Sequence, residues 1–178
     1  MVKDELLMLK VAEGDLESFE EIVLRHQRTA WRIALRFLGD PAEAEDVTQE
    51  TFLRILAAAP RYRPDAAFST YLYRIVARLC IDHARAKRPV FTNSLPETVD
   101  PSPGPATALI QKDRDELVRK ALDALPPRQR MVLILKYYEG LRYEEIAQAM
   151  GTTVKAVERL LGRARVALKS SLLYLREK

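Results

Sequence analysis

Residues 143–162 read YEEIAQAMGTTVKAVERLLG, and the spacing of small, turn and apolar residues along them is that of a helix-turn-helix. Ala147 stands at the fifth position, where a small side chain lets two helices approach. Gly151 stands at the ninth, where the chain turns through a conformation that a side chain resists. Val157, at the fifteenth, fills the space between the helices, with Ile146 and Leu160 as flanking core residues. Thr153 can cap the second helix, which leaves Lys155, Ala156, Glu158 and Arg159 on its exposed early turns, where a recognition helix meets base edges. Thr152 joins that surface from the turn, and Arg163, Arg165 and Lys169 continue it as a basic flank suited to phosphates. An ordinary helical hairpin shares part of this pattern. The reading as a DNA-binding element rests on the core positions, the turn and the basic flank occurring together.

The chain before this element is also helical. Phe19, Ile22, Val23, His26, Ala30, Ile33, Ala34 and Phe37 recur in steps of three and four, placing one apolar stripe on a long helix that ends at Gly39. Asp40 as cap, Pro41 in the first turn and Glu43 placed for a reciprocal capping bond start a second helix, which runs to about Ala59. Pro60 and Pro64 bracket a short connection. Ser69 can cap a third helix, carrying Leu72, Ile75, Val76 and Leu79 and ending near Pro89. Residues 91–107, FTNSLPETVDPSPGPAT, hold four prolines and no periodicity, and read as a linker whose full extension is at most roughly 55–60 Å. Beyond it, Leu117, Val118, Ala121, Leu122 and Leu125 mark a helix stopped by Pro126 and Pro127, and a short helix from about Arg128 to Tyr138 is closed by Gly140. No run of alternating β-branched residues suggests a strand. The expected fold is all-α, with two small helical domains, residues 1–90 and 109–178, joined by a Pro-rich flexible linker at 91–108.

Composition narrows the function. In the 178 residues, 48% are hydrophobic and 30% charged, enough apolar surface for packed cores. No apolar run is longer than the five residues Met131 to Leu135, far short of the roughly 20 residues of a membrane-spanning helix. The acidic start, with Asp4 and Glu5, does not look like a signal peptide, so a cytoplasmic location is expected. One cysteine, Cys80, excludes an internal disulfide and a cysteine-built zinc site, and reads as a small buried residue. Two histidines, His26 and His83, are too few for most metal or triad chemistry, and no cofactor is expected. The net charge of +4 conceals segregation. Residues 1–53 carry 6 Lys and Arg against 12 Asp and Glu, residues 54–90 carry 8 against 2, and residues 109–178 carry 15 against 9. Such a chain suits one protein-binding surface and separate nucleic-acid surfaces, although solvated helix faces would produce a similar map.

Taken together, these blocks resemble a bacterial sigma factor of the extracytoplasmic-function (ECF) group. GDLESFEEIVLRHQ resembles that family's first helix, and DPAEAEDVTQETFLRIL its segment that binds core RNA polymerase. FSTYLYRIVARLCIDHARAKR resembles the helix that melts and reads the minus-ten element. LPPRQRMVLILKYYEGLRYEEIAQAMGTTVKAVERLLGRARVAL resembles the domain that reads the minus-thirty-five element. The resemblance implies a non-catalytic promoter-specificity subunit whose partners are the clamp of the largest polymerase subunit, the flap of the second-largest, promoter DNA, and an anti-sigma factor that can be membrane-anchored.

By the same resemblance, Asp46, Gln49, Glu50 and Leu53 would dock on the polymerase. Arg61, Tyr62, Arg63 and Phe68 would surround a base turned out of the stack, although Phe68 and Tyr73 read equally well as core residues. Tyr71, Arg74, Arg78, Arg85, Lys87 and Arg88 would serve the separating minus-ten duplex. Thr152, Thr153, Lys155, Ala156, Glu158, Arg159, Arg163 and Arg165 would meet the minus-thirty-five element. The chain departs from the family's common residues at Tyr71, Arg78, Arg142, Glu158 and Gly162. Two other classes fit parts of the sequence. One is a stand-alone helix-turn-helix regulator, and the other a nucleic-acid enzyme with magnesium held by Asp46 and Glu50, which sit one helical turn apart.

Overall fold

The computed structural model describes residues 2–87 and 117–176, all of whose regular elements are helices. The proposed linker and Arg88 lie outside the described residues. The apolar stripe of the first long helix is realised in α2, Leu16–Leu38, where Ile22, Ala30, Ile33, Ala34 and Phe37 are buried and Phe19 and Val23 pack behind them. Asp15 caps its start by accepting from the Glu17 and Ser18 amides, and Gly39 ends it in the left-handed region at φ 76°.

A helix that periodicity does not announce precedes it: α1, Asp4–Ala12, buries Leu7, Met8 and Val11 against α2 but leaves Leu6 and Leu9 exposed. Four consecutive apolar residues, Leu6 to Leu9, blur its amphipathic signal.

In α3, Pro41–Ala58, the Asp40 carboxylate accepts from the Glu43 amide at 3.0 Å as expected. The reciprocal half of the box is replaced by a longer reach. Glu43 is paired instead with His83 at 3.0 Å and with Lys87, both at the end of α4, Phe68–Ala86. The start of α4 also differs from expectation. Ser69 is not its cap: the helix opens at Phe68, whose amide donates to the Glu5 carboxylate at 2.8 Å, so α1 supplies the acceptor across 63 residues. Cys80 is fully buried on the inner side of α4, and burial pushes its thiol up to about 12.

The second helical group holds residues 117–123 (α5), then α6, Pro127–Tyr137, α7, Tyr143–Met150, and α8, Val154–Arg176. Met131, Val132, Ile134 and Leu135 make α6 its buried centre, and α7 and α8 pack on it. The two groups also touch each other: α7 lies along α4, and α6 meets α2 and α4.

Candidate nucleic-acid interface

The helix-turn-helix forms for the reasons its residues suggest. Ala147 and Val157 are buried between α7 and α8, and Gly151 sits at φ 58° as the left-handed C-cap of α7. The Thr153 hydroxyl accepts from the Ala156 amide at 3.2 Å and caps α8. At the other end of α7, Arg142 has no side-chain acceptor to offer, but its own amide donates to the Glu145 carboxylate at 2.7 Å. That bond holds Glu145 below the usual carboxylate range. Leu160 is only partly buried, and Leu161 is the true core residue of that turn.

On the outer side of α8, Thr152, Ala156, Arg159 and Arg163 line one shallow concavity together with Arg128 from the first turn of α6. Lys155 and Glu158 are exposed beside it. Arg165 does not belong to this face. It lies nine residues after Ala156, about half a turn away around the helix, where its Nε donates to the Tyr137 hydroxyl at 2.9 Å. The Tyr137 hydroxyl raises the guanidinium above its ordinary value. Arg165 and Lys169 instead edge an apolar groove between α6 and α8, about 590 Å³ in volume, walled by Leu133, Tyr137, Tyr138 and Leu173.

Around the connection before α4, Arg61, Tyr62, Arg63, Tyr71 and Arg74 line a second concavity of about 300 Å³. The Tyr62 and Tyr71 rings meet edge to face at 5.5 Å, and burial holds both hydroxyls neutral, pushing Tyr62 up to about 12. Phe68 is not part of this surface. It is 1% exposed, with its ring 4.9 Å from His26 and 6.2 Å from Tyr71, so it supports Tyr71 from below and has no face free for a base. Further along α4, Arg74, Arg78, Arg85 and Arg128 converge on a third concavity of about 370 Å³, closed on its other side by Met150 and Gly151. Arg78 is exposed and 3.8 Å from Asp82, while Lys87 is engaged with Glu43.

On α3, Asp46, Gln49 and Leu53 are exposed along one face, and Glu50 beside them pairs with Arg54 at 2.7 Å. Leu53, 61% exposed, is the apolar residue of that face. No group of three or more metal-ligating side chains occurs among the described residues, so Asp46 and Glu50 gain no converging carboxylate.

Two residues that sequence reasoning passed over now stand out. Arg128 joins the concavities on α4 and α8, and its only signal was the basic run RQR at 128–130. Glu139, after α6, has a side chain only 3% exposed and ion-paired to Arg32 and Arg36.

Comparison with known proteins agrees in both halves. Residues 22–90 match the family model Sigma-70 region 2, and residues 115–168 match Sigma-70, region 4. The chain is 33% identical to RNA polymerase sigma-H factor of Pseudomonas aeruginosa, over 96% of this chain and 94% of that protein. It is 30% identical to ECF RNA polymerase sigma factor SigW of Bacillus subtilis, over 97% of each. The solved structure of CnrH in complex with the cytosolic domain of CnrY superposes with a TM-score of 0.69 at 29% identity, covering 95% of this chain and 96% of CnrH. The chain therefore belongs to the extracytoplasmic-function group of the sigma-70 family, factors of promoter-specific transcription initiation.

Proposed function

We propose that this sigma factor divides its work between three surfaces and does no covalent chemistry itself. The outward face of α3, with Asp46, Gln49, Glu50 and Leu53, docks on the clamp of the largest polymerase subunit. Its acidic residues suit association with a basic partner, and Leu53 supplies apolar area at the centre. The concavity of Arg61, Tyr62, Arg63, Tyr71 and Arg74 takes an unstacked base of the minus-ten element, with Tyr71 as the stacking ring and Arg78 and Arg85 following the strand. Capturing such a base offsets the few kcal/mol spent turning it out.

The α8 face with Thr152, Thr153, Lys155, Ala156, Glu158, Arg159 and Arg163 meets the minus-thirty-five element, and Arg128 adds a phosphate contact. Glu158, acidic on a basic face, is suited to accept from a cytosine amine. The apolar groove between α6 and α8 receives the flap of the second-largest subunit, with Arg165 and Lys169 at its rim. These surfaces fall in two domains, residues 1–90 and 109–178. CnrH is held by the cytosolic domain of another protein, and an anti-sigma factor of that kind is the regulator expected here. Function in the cytoplasm follows from this work.

The observation that carries the reading is the exposed Lys155–Arg163 face, which stands on a helix-turn-helix whose turn, cap and core positions all form. The test is transcription in vitro by purified core polymerase with and without this protein, followed by sequencing of transcript starts. Starts downstream of a shared pair of elements that vanish without the protein are expected. A folded protein that leaves core polymerase unbound and its starts unchanged would instead favour a stand-alone regulator.

A further inference from the structure

We propose that Glu139 is the latch of a closed, autoinhibited form of this sigma factor, in which Arg32 and Arg36 of α2 hold the helix-turn-helix group against the minus-ten helix. The inference rests on the assignment of α4 and α8 to two promoter elements.

Glu139 lies in the turn between α6 and α7, with its side chain almost withdrawn from water. Both of its guanidinium partners come from the other helical group. Arg32 Nη2 donates to Oε2 at 2.8 Å, and Arg36 Nη1 donates to Oε1 at 3.3 Å. The Arg36 guanidinium also lies 4.4 Å over the ring of Tyr138, next to Glu139 in the chain. Parting the two groups would leave all three charges unpaired but hydrated. With the carboxylate buried but the side chains of Arg32 and Arg36 still 41% and 32% exposed, the cluster fixes one arrangement while adding little net stability, which suits a contact that must open.

Two further contacts cross the same junction. Arg130 Nη1 donates to the Phe37 carbonyl at 2.7 Å, and Arg74 Nε donates to the Gln148 carbonyl at 3.3 Å. The second removes from use an arginine that lines the base-capture concavity.

The closed form cannot read a promoter. Elements centred 25 base pairs apart are separated by about 85 Å of duplex at roughly 3.4 Å per base pair. Here the α4 and α8 concavities share one lining side chain, Arg128, so both reading surfaces lie within reach of a single arginine. The end of α7, at Met150, also stands over the strand-following side of α4. Engagement of both elements therefore draws only on the open fraction, and the apparent dissociation constant is the intrinsic one divided by that fraction.

The test uses the full-length chain carrying fluorophores at Glu45→Cys and Ser170→Cys, both exposed positions outside the junction, while buried Cys80 stays unlabelled. The unliganded protein should show high energy transfer. Glu139→Arg should lower it and raise the apparent affinity of the unlabelled protein for core polymerase by about 5-fold or more. Arg32→Glu with Arg36→Glu should do the same, and the three substitutions together should restore both readings, which a folding defect would not. Low transfer in the parent, unchanged transfer in a folded Glu139→Arg variant, a swap that fails to recover, or opening without a gain in affinity would each overturn the latch. Failure of the parent to bind polymerase at all would count against the proposed function, and the transfer measurement would still read the latch.

Discussion

Removing Arg159 or Arg163 should weaken the salt dependence of promoter binding, whereas removing Arg165 should not. Arg159 and Arg163 stand one helical turn apart on the outer face of α8, both lining the same concavity as Arg128. Arg165 is two residues further on, about 200° around the helix from Arg163, and its guanidinium is bonded to Tyr137. Each phosphate contact contributes about 0.9 to the slope of log affinity against log salt. Raising salt from about 50 to about 200 mM, a roughly fourfold change, therefore costs about 3.5-fold in affinity per contact. Arg159→Ala and Arg163→Ala should each lower the slope by about 0.9, and the double variant should lower it by about 1.8. The measurement is equilibrium binding of holoenzyme to a fluorescent promoter fragment across a salt series, repeated with the minus-thirty-five element scrambled. Arg165→Ala should keep the parental slope while weakening association with the flap, measured separately with the isolated flap domain. A slope change for Arg165→Ala equal to that of Arg163→Ala would refute the placement of these residues on opposite faces.

Phe68→Ala should cost about 3–5 kcal/mol of stability because it empties a core site, whereas Tyr71→Ala, at a half-buried ring packed on Tyr62 and Phe68, should cost clearly less. Permanganate footprinting of the opened promoter should show the reverse order: Phe68→Leu opens DNA normally, and Tyr71→Ala loses a stacking contact of about 1–3 kcal/mol. At Gly151, φ is 58° and an added Cβ would meet nothing within 4 Å, so Gly151→Ala should cost only the backbone strain, about 1–2 kcal/mol, lowering Tm by about 2–8 °C. Gly162 is helical and equally unobstructed, so Gly162→Ala should instead stabilise by about 0.5–1 kcal/mol in thermal melts. Cys80, with its thiol pushed up to about 12 by burial, should resist iodoacetamide at pH 8 until the protein is unfolded by denaturant. Because the native state holds this proton more tightly than the unfolded chain, its contribution to stability is complete below about pH 9 and declines toward pH 12.

The helices were legible wherever the buried residues keep to one face at helical spacing. The stripe on α2 and the turn at Gly151 are of this kind, because local spacing and local conformation determine them. α1 was not, since its apolar run Leu6 to Leu9 surrounds the helix rather than marking one side. Caps that act at a distance were equally hidden. Nothing near Phe68 says that Glu5 will accept its amide, and nothing near Glu43 says that its carboxylate will turn to His83 and Lys87. Both substitute a tertiary bond for a local one of similar geometry, so the helix boundary survives while its explanation changes.

The placement of the site residues was hidden for a different reason. Arg163 and Arg165 are both basic and nearly adjacent in sequence, yet residues on a helix are about 100° apart and two steps carry a side chain to the opposite flank. Phase also explains Phe68. It shares the first turn of α4 with Tyr71, but its ring is covered by His26 from α2, a residue 42 positions earlier. An aromatic at the edge of a recognition loop can therefore act either on the nucleic acid or on the aromatic that does, and only the neighbour on its far side decides between them. Glu139 carries the same lesson for charge. In sequence it is one acid within a basic domain, where it would be expected to weaken affinity for DNA. In the folded chain its carboxylate faces two arginines of the acidic half, so the charge segregation that marks the chain also supplies attraction between its halves. That attraction competes with polymerase and promoter for the same opening, which ties the strength of one ion-pair cluster to the fraction of protein able to begin transcription.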